Sequence, residues 1–138
     1  MHKIKKCLSI LLATVLFMSI VSSSYATSSD VMPYMEHISY GRCSLNINNS
    51  TGSVSAWVQA YEDATKTEVS VEIQEQFLLF FWKTVDTWSS SSNGPYCRVT
   101  GSTSATSGNV YRAVATVTAW VGNDSETQTI TTETVVAD

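Results

Sequence analysis

Residues able to do acid–base or metal chemistry are scarce in this chain. Only two histidines, His2 and His37, occur among its 138 residues. A Ser-His-Asp site needs a base held against its nucleophile, and no serine motif of that kind accompanies His37. His37 sits in an aperiodic stretch and reads as a solvated loop residue. Glycoside hydrolysis would need two facing carboxylates. Two-residue alternation puts Glu68 and Glu72 on one strand face with Ser70, and Glu75 on the other, which describes the wet side of a sheet. The acidic residues lack calcium-loop spacing, and no His/Cys cluster offers zinc ligands. The expectation is a non-enzymatic protein, with no catalytic residue, no metal site and no cofactor.

Contact chemistry is better supplied. Phe77-Leu78-Leu79-Phe80-Phe81-Trp82 is an uncharged apolar run that presents side chains to both faces when extended. Two readings stand side by side. In one the run is a strand buried on both sides, or an edge covered by the N-terminal leader. In the other it is a hairpin tip, where it would form an exposed patch for a partner or a membrane surface. A second candidate is aromatic: Trp57, Tyr61 and Trp120 fall on the polar phase of their strands. Were those strands neighbours, the rings would form an outer platform on which sugar C–H faces stack.

The elements that must position these residues begin after a leader. Lys3, Lys5 and Lys6 precede an apolar stretch from Leu8 to Val21, and Ser24-Tyr25-Ala26 supplies a small-x-small cleavage signal. A signal peptide is therefore expected over 1–26, a loose leader over 27–37, and one domain over 38–138. Removal of those three lysines leaves five basic residues against twelve acidic ones, a net charge of −7. Such a balance argues against nucleic acid as a partner. Cys43 and Cys97 remain after cleavage, in a compartment where disulfides persist, and a Cys43–Cys97 bridge is expected. Two free thiols, or a metal pair short of ligands, are the alternatives.

From residue 43 onward the period is two. Cys43, Leu45 and Ile47 alternate with polar partners, as do Val54 to Ala60 and Val69 to Ile73. Trp82 to Trp88, a stretch opening at Cys97, Tyr111 to Val121, and Thr127 to Val136 complete a set of six or seven strands. Turn-forming residues separate them, including the run Ser89 to Pro95. The pattern predicts an all-β fold, a small antiparallel two-sheet sandwich with immunoglobulin-like connections.

The strings Val69-Ser70-Val71-Glu72-Ile73-Gln74, Trp82-Lys83-Thr84-Val85-Asp86-Thr87-Trp88-Ser89 and Gly108 to Trp120 resemble an uncharacterised family. Its members are small exported immunoglobulin-like β-sandwich proteins of Gram-positive gut anaerobes. The resemblance covers residues 38–136 and implies export and a sandwich, with no activity attached. One departure stands out: relatives carry a polar Gly/Ser hairpin before the first tryptophan, where this chain has Phe77 to Phe81. Tyr111 also resembles the tyrosine-corner residue of immunoglobulin-type sandwiches, and Ala113 occupies the place of their usual cysteine.

Taken together, these features predict a secreted or envelope-associated binding module. Its partner would be a glycan at Trp57, Tyr61 and Trp120, or an envelope protein or membrane surface at Phe77 to Trp82. A membrane-active, bacteriocin-like toxin and a structural envelope protein are the alternatives.

Overall fold

The computed structural model describes residues 26–31 and 35–138. Nine strands run β1 (Ala26–Val31), β2 (Ile38–Asn48), β3 (Thr51–Ala60), β4 (Lys66–Phe77), β5 (Phe81–Ser92), β6 (Tyr96–Ser104), β7 (Val110–Val121), β8 (Asp124–Thr131) and β9 (Val135–Val136). They pair antiparallel into two sheets, ordered β1-β2-β3-β6 and β5-β4-β7-β8, with β9 on β7. The described residues contain no helix. Lettered as in immunoglobulin-type sandwiches, β2, β3 and β6 are A, B and E, while β5, β4, β7 and β8 are C′, C, F and G. The expected sandwich is thus present, and the six or seven anticipated strands fall on β2 through β9, the last of them spanning β8 and β9.

Alternation builds the core. Leu45, Ile47 and Val58 from one sheet meet Val69, Val71, Ile73 and Val117 from the other, all essentially inaccessible to solvent. Ala113, Ala115 and Ala119 on β7, with Ala56 on β3, are small enough to let the layers close. Thr67 on β4 is buried, and its hydroxyl donates to Gly94 O at 2.9 Å, so its burial leaves no orphaned group. Tyr111 behaves as a tyrosine corner. Its ring is buried, and its hydroxyl accepts the Thr106 N–H at 2.7 Å and donates to Glu75 at 2.8 Å.

Several expectations are corrected. The Cys43–Cys97 bridge does not form: both thiols are free and buried. Cys43 lies opposite Ala56 and Cys97 opposite Val58, so β3 runs between the two cysteines. Two strand spacings put their Cα atoms roughly 10 Å apart, beyond the approximately 7 Å that a disulfide spans. Burial pushes the Cys43 thiol up to about 12, which keeps it protonated. The leader is not loose throughout. Ala26–Val31 pairs along β2 from Asn46 to Gly41, and the predicted cleavage point falls on the first residue of that strand. The signal peptide itself, at residues 1–25, lies outside the described residues. Ser89–Ser92 belong to β5, leaving Asn93-Gly94-Pro95 to make the turn. The final threonine-rich stretch is broken into β8 and β9, where Thr132 turns inward and its hydroxyl accepts the Ala113 N–H at 2.9 Å.

Candidate interaction site

The β4–β5 hairpin reaches past the body of the sandwich. β4 makes its last pairing with β7 at Glu75 opposite Tyr111, then continues through Gln76 and Phe77 with only β5 beside it. The inward phase of the alternation persists there, but among the described residues nothing stands opposite to cover it, and Phe77 is exposed. Phe77 and Phe81 form a cross-strand ring pair with centroids 5.5 Å apart, which pins the ends of the hairpin. Between them Leu78, Leu79 and Phe80 make the loop, at 75%, 77% and 83% exposure. The run is therefore a hairpin tip, and the buried-strand alternative fails.

The backbone of this tip is strained. Leu78 and Leu79 adopt φ of 49° and 67°, a region that suits glycine or asparagine and costs a branched apolar residue about 1–2 kcal/mol. Phe80 N donates to Leu78 O at 2.8 Å, and the Gln76 side chain donates to Leu79 O at 2.9 Å, holding the loop shut. Trp82 differs from its neighbours. It is half-buried beneath Arg112, whose guanidinium carbon lies 4.2 Å from the ring centroid. Arg112 is itself fixed, its Nε donating to Gln74 at 2.7 Å. The tip thus has an apolar end, Phe77 to Phe81, above a collar of Trp82, Lys83 and Arg112.

The proposed platform of Trp57, Tyr61 and Trp120 is not assembled. Trp57 faces outward from the sheet of β2, β3 and β6, whereas Trp120 faces outward from the other sheet, with Lys66 over its ring at 4.7 Å. Tyr61 lies past the end of β3. Trp57 has other aromatic neighbours instead, Tyr40 at 5.0 Å and Tyr96 at 6.1 Å between centroids. Strand parity carries the signal for both: Tyr40 shares the outward phase of Arg42 and Ser44, and Tyr96 that of Arg98. What a single sequence lacks is the order that sets β2, β3 and β6 side by side.

His37 is also placed differently from its expectation. Only 8% exposed, it directs Nε2 to Asp124 Oδ2 at 2.7 Å. That hydrogen bond, ahead of the opposing desolvation, raises the imidazole above its ordinary value of 6.5. Beside it the Glu126 carboxylate accepts backbone N–H groups of Glu36, His37 and Ile38 at 3.2, 2.8 and 2.9 Å. Glu36, His37 and Asp124 bring three ligand-type atoms within 4.8 Å of one another, a grouping invisible in sequence because 87 residues separate His37 from Asp124. The His37–Asp124 ion pair engages two of the three, and the cluster ties the start of β2 to β8 across the sheets.

The glutamates of β4 are engaged locally. Glu68 pairs with Lys66 at 2.6 Å, Glu72 accepts from Gln74 and Thr84, and Glu75 accepts from Tyr111.

No protein-family model and no curated protein matches the chain. Among solved structures it is similar to Spo0M, a sporulation control protein from Bacillus subtilis, at 6% identity and a TM-score of 0.37. The similarity covers 83% of this chain and 50% of that one, so the chain spans about half the length of the Bacillus protein.

Proposed function

We propose that the protein is an exported, non-enzymatic interaction module that attaches to a lipid surface through the tip of its β4–β5 hairpin. One observation carries the reading: five consecutive large apolar residues, Phe77 to Phe81, stand exposed on a projection beyond the sandwich. The tip is convex and apolar on both faces, so whatever covers it must surround it. A bilayer does so without any demand of shape. Trp82, Lys83 and Arg112 sit where an aromatic ring and cationic side chains meet the headgroup layer when the tip is immersed. The signal-peptide pattern of residues 1–26 and the family resemblance favour work outside the cell or at its envelope.

Magnitudes make the attachment peripheral. Full burial of a leucine or phenylalanine contributes about 1.5–3 kcal/mol, so four or five such side chains support reversible binding after ordering costs. The tip is too short to cross a hydrocarbon layer of about 30 Å. That shortness disfavours the toxin alternative, which requires a breach. The structural-envelope alternative draws support from β5, an edge strand with its outer side unpaired within the sheet.

Flotation of the purified protein with phosphatidylcholine vesicles tests the reading. The expected outcome is co-flotation that is lost in Phe80→Ser/Phe81→Ser while the thermal melt is retained, without release of an entrapped dye. Failure to float, or flotation unchanged in the double variant, would remove the proposal. Dye release would return the toxin reading.

A further inference from the structure

The outer face of the sheet β1-β2-β3-β6 has a chemistry of its own, independent of the hairpin. Trp57 lies between Arg42 and Arg98, its direct partners on β2 and β6, with Tyr40 and Tyr96 tilted against it. Toward the β2–β3 turn the next outward row is Ser44, Ser55 and Thr100, and the row after it is Asn46, Ser53 and Ser102. These two rows, with Arg42 and residues of β1, line a trough of about 770 Å³. One end of the face is therefore aromatic and cationic, and the rest is a lattice of hydroxyls and amides.

Charge is segregated on this face. The outward positions of β2, β3 and β6 include two arginines and no aspartate or glutamate, although residues 27–138 carry twelve acidic residues. On β1, Asp30 stands opposite Arg42 in register, whereas Arg98 lies on the far side of Trp57, on the strand most distant from β1. Two arginines in a chain of net charge −4 do not make a nucleic-acid surface. They do suffice for isolated carboxylates, which guanidinium groups bind through paired N–H donors.

We propose that this face binds an oligosaccharide carrying uronic acid residues. A sugar ring stacks its C–H face on Trp57, flanked by Tyr40 and Tyr96. Its carboxylate meets Arg98, and the following sugars lie in the trough, where their hydroxyls exchange hydrogen bonds with Ser44, Asn46, Ser55 and Thr100. Beside Arg42, the side chains that the outward phase of β2, β3 and β6 presents to the trough are hydroxyls and amides with no large apolar group among them, whereas a protein partner would want an apolar anchor at its centre.

The test uses an array of uronate-bearing oligosaccharides, each printed beside its carboxyl-reduced neutral copy, with titration calorimetry on the retained glycan. Uronate chains are expected to bind, their neutral copies roughly tenfold more weakly. Trp57→Ala abolishes retention of both. Arg98→Gln lowers the uronate affinity to that of the neutral copy. Trp57 is on the outer face, so its removal leaves the core intact, and the thermal melt verifies the fold. Phe80→Ser/Phe81→Ser retains full glycan binding, which separates this site from the lipid-contacting tip. Absence of retention on the array, or retention unchanged by Trp57→Ala, overturns the site. Equal affinity for acidic and neutral copies overturns the role of Arg98.

Discussion

The indole of Trp88 lies flat across the backbone at Gly101. A Cβ built on Gly101 would stand 2.1 Å from Trp88 Cδ2 and 2.2 Å from Cε2. Trp88 belongs to β5 and Gly101 to β6, edge strands of different sheets, so this contact helps to close a side of the sandwich that no hydrogen-bonded pairing seals. Most of β5 is otherwise exposed on both faces. Gly101→Ala is expected to force the ring out of its seat and cost about 1–3 kcal/mol. Urea denaturation measures it, and a variant as stable as the parent would show that the ring moves aside freely.

Glu126 satisfies three backbone donors at once. Glu126→Ala strips the acceptor from the N–H groups of His37 and Ile38, both of which are partly buried, and is expected to cost about 2–3 kcal/mol. Glu126→Gln retains one oxygen and should lose less. Equal losses in the two variants, measured by chemical denaturation, would contradict the assignment.

His37 makes stability depend on pH with a definite sign. Its folded value is raised above 6.5 by Asp124, so the proton is bound more tightly in the native state. The contribution is fully present below 6.5 and is lost as pH rises through the folded value. Comparison of the protein with His37→Gln should therefore show the largest stability difference in mildly acidic buffer, shrinking toward alkaline pH. A difference that is flat with pH, or grows with it, would rule out the ion pair as its source.

The two thiols should behave as core side chains. Reducing agent is expected to leave the melting temperature unchanged, and intact mass in native buffer should show no loss of two hydrogens. Alkylation of Cys43 should require unfolding, because a buried thiol held at about 12 offers almost no thiolate. A reductant-sensitive melt would restore the bridge and with it a different position for β3.

Leu79→Gly should raise stability while weakening vesicle binding. Glycine removes the steric cost at a φ of 67°, partly offset by its greater freedom when unfolded, for a net gain of about 0.5–1 kcal/mol. The same change deletes one apolar side chain from the tip. Loss of stability in this variant would mean that Leu79 packs against the domain after all.

Much of the architecture was legible because burial on one face of a strand leaves a two-residue signature in the chain. Val54 to Ala60, Val69 to Ile73 and Tyr111 to Val121 kept the faces their alternation assigned. The signature failed at Ser89–Ser92 and at β1, where polar residues lie on sheet edges. There, backbone pairing rather than apolar burial makes the strand, so side-chain type carries little information.

The amino-acid order alone determined that the chain forms layered antiparallel strands and that Phe77 to Trp82 is anomalous, since both are properties of local pattern. Only tertiary structure decided which side chains meet. It set β3 between Cys43 and Cys97, put Trp57 and Trp120 on opposite outer faces, and brought Asp124 to His37. It also ended the pairing of β4 with β7 at Glu75, so that the apolar run projects beyond it. Each of these depends on which strands are neighbours and on where each one stops relative to its partner. Strand order is chosen by the packing of the whole core, and alternation, being the same on every strand, does not encode it.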